Sequence, residues 1–269
     1  MSIKLGVVGG GVMAEAIVSR LLQEDFYQPD QVLISEPGES RRQFWQDTYG
    51  VMVTNNNQQV FDDCELLLLA IKPQILDIVA QEINCSNRLN PPALIVSILA
   101  GVVLERLEAV FPALGIVRVM PNTPALVGQG MTAITANPRV GANELGVVRS
   151  IFDCVGEVIE VPEYMMDGVT GLSGSGPAFV ALMTEALADG GVAVGLPRAI
   201  ASQLALQTVL GTAELMKQKQ LHPAMLKDQV TSPGGTTIAG VAQLEKQGFR
   251  SAVIEAVKAA KMRSQELNS

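Results

Sequence analysis

The chain has 269 residues, 48% hydrophobic but only 4% aromatic, with 19 basic against 27 acidic side chains and a net charge of −8. That length and a mean hydropathy of +0.29 allow two domains with large aliphatic cores. The acidic balance argues against nucleic acid or an anionic membrane as partner, because both recruit clustered Lys and Arg.

The first residues imitate a signal peptide, with Lys4, an apolar run and Ala14-Glu15-Ala16. Gly9, Gly10 and Gly11 break that run and point elsewhere. Residues 3–9, IKLGVVG, read as a buried strand, residues 14–22 as a helix and residues 31–35 as a second strand. ELLLLAI at 65–71 and ALIVSI at 93–98 are near-continuous apolar runs, the pattern of strands covered on both faces. The longer run 93–104 is too short to span a bilayer. Residues 115–120 form another strand, and 131–136 and 157–161 read as edge strands. Strands alternating with helical segments predict an α/β fold with a doubly wound, Rossmann-type parallel sheet.

After Pro162 no strand pattern follows. Phe179, Leu182, Met183, Ala186 and Leu187 share one helical face. Residues 196–216 are apolar nearly all round, which predicts burial against a second subunit. A last stripe runs Ala252, Val253, Ala256, Val257 and Ala260, opposite Glu255, Lys258 and Lys261. The expected division is a dinucleotide-binding domain at 1–161 and an all-α dimerisation and substrate domain at 162–269. Cys64, Cys85 and Cys154 are scattered and odd in number, so reduced thiols in a cytoplasmic protein are expected rather than disulfides. His222, the one histidine, has no partner for a triad or a zinc site, and no metal is expected.

GVVGGGVMAEAI supplies Gly9-x-Gly11-x-x-Ala14 between a strand and a helix. Gly9 permits the tight turn, Gly11 lets backbone approach a pyrophosphate, and the helix N-terminus faces the phosphates. Glu36 ends strand two, where a carboxylate bonds an adenosine ribose and favours NAD; Ser35, Arg41 and Arg42 beside it could hold a 2′-phosphate, so NAD against NADP stays open. Lys72 precedes Pro73 at a helix start, the wrong end of the dipole for a cation, which suggests an anion nearby. Asn122 and Thr123 stand between two prolines after another strand. Gly9 to Gly11, Lys72, Ala100-Gly101 and Asn122-Thr123 all belong at strand carboxyl ends, where one crevice can hold a dinucleotide. Close helix packing is the expected use of Gly190 and Gly191.

TSPGGTT, residues 231–237, places two glycines, a proline and four hydroxyls ahead of a helix. A helix cap by Ser232 would explain one hydroxyl but not the rest. A loop of small residues opening a helix offers backbone N–H groups to a carboxylate.

Together with LAIKPQ, VMPNTPALV, LSGSGPAF, DGGVAVGLPR and LKDQVTSPGGTTIAGVAQLE, these stretches resemble the pyrroline-5-carboxylate reductases nearly end to end. The resemblance implies reduction of the cyclic imine of 1-pyrroline-5-carboxylate to L-proline, the last step of proline synthesis, usually with NADPH, NADH being possible. It implies dimers, often assembled into decamers through interlocked helical domains. By motif, Gly9, Gly10, Gly11, Val12 and Met13 would line the pyrophosphate, Val12 standing where relatives often have Asn. Asn57 would touch the adenosine ribose, and Ala70, Lys72 and Pro73 would flank the nicotinamide. Ser232, Gly234, Gly235, Thr236 and Thr237 would form the substrate loop. Ser35, Glu36 and Asn122 complete the expected cofactor contacts, and Thr237 and Lys72 are the candidate catalytic residues. Two rivals remain: a related NADP-dependent dehydrogenase of another small acid, which would want a lysine that residues 167–179 lack, and a non-catalytic dinucleotide sensor.

Overall fold

A computed structural model describes residues 2–83 and 94–267, so Cys85 and the start of the expected 93–98 strand lie outside the described residues. The strands are β1 (Ile3–Val8), β2 (Val32–Ser35), β3 (Met52–Thr54), β4 (Cys64–Leu69), β5 (Leu94–Ser97), β6 (Gly115–Met120), β7 (Gly130–Ala136) and β8 (Gly156–Glu160). They make one sheet in the order β3-β2-β1-β4-β5-β6-β7-β8. Every pairing is parallel except β6 with β7. This is the doubly wound α/β architecture, with two differences from expectation. β7 is an inner strand paired on both sides, not an edge. The edges are β8 and the short β3, which the sequence reading passes over.

Helices α1 (Val12–Gln23), α2 (Glu39–Tyr49), α3 (Asn57–Asp63), α4 (Leu76–Glu82), α5 (Leu104–Val110) and α6 (Ala142–Asp153) belong to this sheet's part of the chain. The apolar runs divide by parity. On β4, Leu66 and Leu68 enter one core with Val7, Ile17, Trp45 and Phe152. Leu67 and Leu69 enter a second core with Val8, Leu33, Phe61 and Phe111. A strand feeding two cores cannot alternate apolar with polar, which is why these strands read as unbroken hydrophobic runs.

Arg118 on β6 is a buried cation in this setting. Its guanidinium pairs with Glu163 at 2.7 Å, and the same Glu163 oxygen accepts the Leu104 N–H that opens α5. The pair ties β6 to the segment that leaves β8.

The remaining helices are α7 (Met166–Val169), α8 (Gly176–Ala193), α9 (Arg198–Lys219), α10 (Pro223–Gln229), α11 (Thr236–Lys246) and α12 (Phe249–Glu266). Between α7 and α8, Thr170–Gly174 forms a π-helical turn. The hydroxyls of Thr170, Ser173 and Ser175 donate back to the carbonyls of Met166, Val169 and Thr170. The chain falls into two compact units, residues 1–175 with 259–269, and residues 176–258.

Within the second unit, α9 buries only Ala201 and Ala205. Leu204, Leu206 and Leu210, on a helix expected to be covered on several sides, stay exposed in the single chain. A Cβ on Gly191 would stand 2.9 Å from that of Ala201, so this glycine does let α8 approach α9. Gly190 has open space beside it and makes no such contact.

Candidate active site

The parallel register puts the carboxyl ends of β1, β2, β4, β5 and β6 on one side of the sheet. The loops after β1, β2, β3 and β4 enclose a cavity of about 470 Å³. It gathers Gly9, Gly11, Ser35, Glu36, Asn57, Ala70 and Lys72 from the sequence-predicted set. Gly9 takes φ +98°, and a Cβ there would meet the Ala70 carbonyl oxygen at 2.7 Å. Gly11 differs: a Cβ there meets nothing within 4 Å, so the space in front of it is open. Gly11 is also the N-cap of α1, with no side chain closing that end. An open, uncapped helix N-terminus behind a tight turn is a cradle for an anion. The arrangement fits the pyrophosphate of a dinucleotide. Val12 is exposed and Met13 half-buried at the start of the same helix.

Gly10 is held from every side by groups distant in sequence. Its N–H donates to Glu36 Oε2 at 2.9 Å. Its carbonyl accepts from Arg41 Nε at 2.6 Å and from the indole N–H of Trp45 at 3.0 Å. Arg41 also pairs with Glu15. That guanidinium lies 4.4 Å from the Phe44 ring centroid. Tyr49 donates to the other oxygen of Glu15 at 3.1 Å, and burial, then the Glu15 carboxylate, raises the Tyr49 hydroxyl above its usual pKa. Glu15, an acidic residue in the first turn of α1, is thereby neutralised beside the anion cradle.

Glu36 accepts a second N–H, from Gly38, at 2.9 Å through Oε1. Arg42 donates to the carbonyls of Glu36 and Pro37, each at 2.7 Å. Ser35 is buried, and its carbonyl receives the Gly9 N–H. Asn57 donates to Glu82 at 2.5 Å, bringing an acidic residue of α4 to the cavity. Ile71, Ile75, Ile78 and Val79 supply an apolar wall. Glu82, Trp45 and that wall were not among the expected site residues. The signal for Trp45 was its being the sole tryptophan, four residues past Arg41.

Lys72 is exposed and lines the cavity as the N-cap of a 3-10 turn, Pro73–Ile75. Asn122 lies at the end of β6, outside the residues lining this cavity. Its Oδ1 accepts the Met131 N–H at 2.8 Å, and its Nδ2 donates to the Ser173 carbonyl of the π-helical turn at 3.1 Å.

In the second unit, the 231–237 loop turns at Gly234, whose φ is +66°, and Gly235 caps α11. No side chain caps that helix; Ser232 is not its cap. The N–H groups of Thr236 and Thr237, in the first turn, have no intrahelical partner. Thr231 instead donates to the Lys227 carbonyl at 2.6 Å. His222 is the N-cap of α10, its Nδ1 accepting the Ala224 N–H at 3.2 Å, a structural use for the one histidine.

Two sequence profiles match the chain. One, described as NADP oxidoreductase coenzyme F420-dependent, covers residues 4–101. The other, described as pyrroline-5-carboxylate reductase dimerisation, covers residues 163–267. A solved Plasmodium falciparum pyrroline carboxylate reductase with NADP bound has a TM-score of 0.89 at 33% identity, covering 99% of this chain and 98% of that one. A Coxiella burnetii pyrroline-5-carboxylate reductase has a TM-score of 0.91 at 33% identity, with 100% of both chains covered. A pyrroline-5-carboxylate reductase of Synechocystis is 61% identical over 268 residues, 99% of each chain. With a likeness of that level running end to end, the chain belongs to the pyrroline-5-carboxylate reductase family.

Proposed function

We propose that the chain reduces 1-pyrroline-5-carboxylate to L-proline with NAD(P)H, closing proline biosynthesis. The observation that carries this reading is the open cradle at Gly11 and α1, in a chain 61% identical end to end to a pyrroline-5-carboxylate reductase. When bound, the reduced nicotinamide supplies the hydride. Gly9, Gly10, Gly11, Val12 and Met13 hold the pyrophosphate with backbone. Ser35, Glu36 and Asn57 serve the adenosine end, and Ala70, Lys72, Pro73 and Asn122 the nicotinamide end. Ser232, Gly234, Gly235, Thr236 and Thr237 hold the substrate carboxylate at the N-terminus of α11. Thr237 offers its hydroxyl to the ring nitrogen. A cyclic imine takes its proton from water and binds as an electrophilic iminium, so orientation matters more than a strong acid. Lys72 adds positive charge beside the anionic ligands.

The functional division is placed at residue 161, with dinucleotide binding before it and self-association and the substrate loop after it. Exposed Leu182, Leu204, Leu206 and Leu210 support a dimer, as does an apolar groove of about 800 Å³ lined by Phe179, Leu182, Met183, Phe249 and Val253. Further assembly into decamers rests on the family resemblance. Three scattered cysteines, an odd number with no CxxC spacing, support a cytoplasmic location. No helix among the described residues is long and apolar enough to cross a membrane.

The test follows absorbance at the reduced-nicotinamide band after pyrroline-5-carboxylate is added. Oxidation matched by formation of proline is expected. Bound but unconsumed cofactor would leave only a sensor.

A further inference from the structure

We infer that Asn122 is a positioning residue for the reaction, which fixes the π-helical turn 170–174 at the carboxyl end of β6 by supplying an N–H that Pro177 withholds. The inference rests on the reductase reading above. SGSGPAF, residues 173–179, makes Pro177 the second residue of α8. Proline has no N–H, and its ring crowds the carbonyl four residues back, here that of Ser173. A regular α-helix running on from α7 would leave that carbonyl without its donor. The chain widens instead to the π turn, closed by the Ser175 N–H on the Thr170 carbonyl at 2.9 Å. Turns of this kind recur at functional sites.

The missing donor comes from 51 residues away, where Asn122 Nδ2 reaches the Ser173 carbonyl at 3.1 Å. Asn122 Oδ1 accepts the Met131 N–H at 2.8 Å, closing the loop between β6 and β7. Gly174 lets the turn settle on the strand, since a Cβ there would stand 2.6 Å from Met120 Cε. One amide thus joins the end of β6, the start of β7 and the π turn. With its oxygen and its NH2 both engaged by backbone, Asn122 serves the nicotinamide end through the backbone it holds, not by touching the ring. The carboxyl ends of β4, β5 and β6 share one side of the sheet, where that end of the cofactor is placed. Hydride transfer is sensitive to a misplacement of about 1 Å. Cofactor affinity draws instead on the pyrophosphate and adenosine contacts at Gly9 to Gly11, Glu36 and Asn57. A loosened turn should therefore lower kcat and spare affinity.

The experiment combines steady-state reduction of pyrroline-5-carboxylate with fluorescence titration of NADPH against the folded full chain. Asn122→Ala should lower kcat roughly tenfold or more, while Kd for NADPH stays within about threefold of wild type. Pro177→Ala returns an N–H to residue 177. In that background, Asn122→Ala should cost at least about threefold less in kcat than it does in wild type, because the two changes act on one carbonyl. A side chain that touched the nicotinamide directly would gain no such rescue. An equal loss in both backgrounds would overturn the inference. So would full activity in Asn122→Ala, or a Kd that weakens in step with kcat. If Asn122→Ala fails to fold, Asn122→Asp replaces it in the same cycle, because it keeps the acceptor for Met131 and loses the donor. Wild-type protein that binds NADPH without consuming it would overturn the reductase reading itself, an outcome seen before any variant is made.

Discussion

Trp45 donates its indole N–H to the carbonyl oxygen of Gly10 at 3.0 Å, so the chain's only tryptophan holds the glycine loop proposed for the dinucleotide. Trp45→Phe keeps an aromatic ring but deletes the donor and some volume. A buried hydrogen bond contributes roughly 0.5–1.5 kcal/mol and a shape change adds to it, so a loss of about 1–3 kcal/mol is expected. Tm should fall by several degrees and NADH affinity by a few-fold. Calorimetry and fluorescence titration check both; unchanged values would show that Arg41 and Glu36 suffice to hold Gly10.

Gly9 and Gly11 should fail in different ways. Gly11→Val meets open space, so the fold should persist while the side chain blocks the pyrophosphate path. Circular dichroism should match wild type, and cofactor titration should show no binding. Gly9→Ala, at φ +98° and against the Ala70 carbonyl, should cost roughly 1–3 kcal/mol of stability. Equal affinity in Gly11→Val would reduce the loop to a mere turn.

Thr237→Val preserves shape and removes the hydroxyl proposed for the ring nitrogen. Losing a hydrogen bond to a charged partner costs roughly 1.5–3 kcal/mol, a fall of about 10- to 200-fold in kcat/KM. Cofactor affinity should hardly change. Steady-state kinetics decide: full activity removes Thr237 from the site, and a loss far above a thousandfold makes it a true acid catalyst.

Self-association should be obligate. Leu204, Leu206 and Leu210 leave a large apolar surface on α9 in the single chain, which a stable monomer rarely tolerates. Sedimentation at low micromolar concentration should show no folded monomer. An active monomer would refute the dimer.

Much of the candidate site was legible because its geometry is local. The strand, the three glycines and the helix that follow one another at residues 3–23 write their own cradle. The 231–237 loop likewise announces itself, since backbone donors at a helix start need only small residues in a row. What stayed hidden is what the cradle leans on. Glu36 and Trp45 reach Gly10 across 26 and 35 residues. No periodicity encodes such a contact. Glu82 and Asn57 meet across 25 residues for the same reason.

The sequence by itself determined the α/β class, the apolar strands and the change to helices after Pro162, because burial on two faces or one leaves a periodic mark along the chain. Only the tertiary structure decided that β7 is an inner, antiparallel strand and that β3 closes the other edge, because strand neighbours are chosen by pairing and not by composition. It also decided that Arg41 and Arg42 turn to backbone carbonyls and that Asn122 braces a loop against the π-helical turn. A polar side chain names a set of possible partners, and the fold chooses among them by distance.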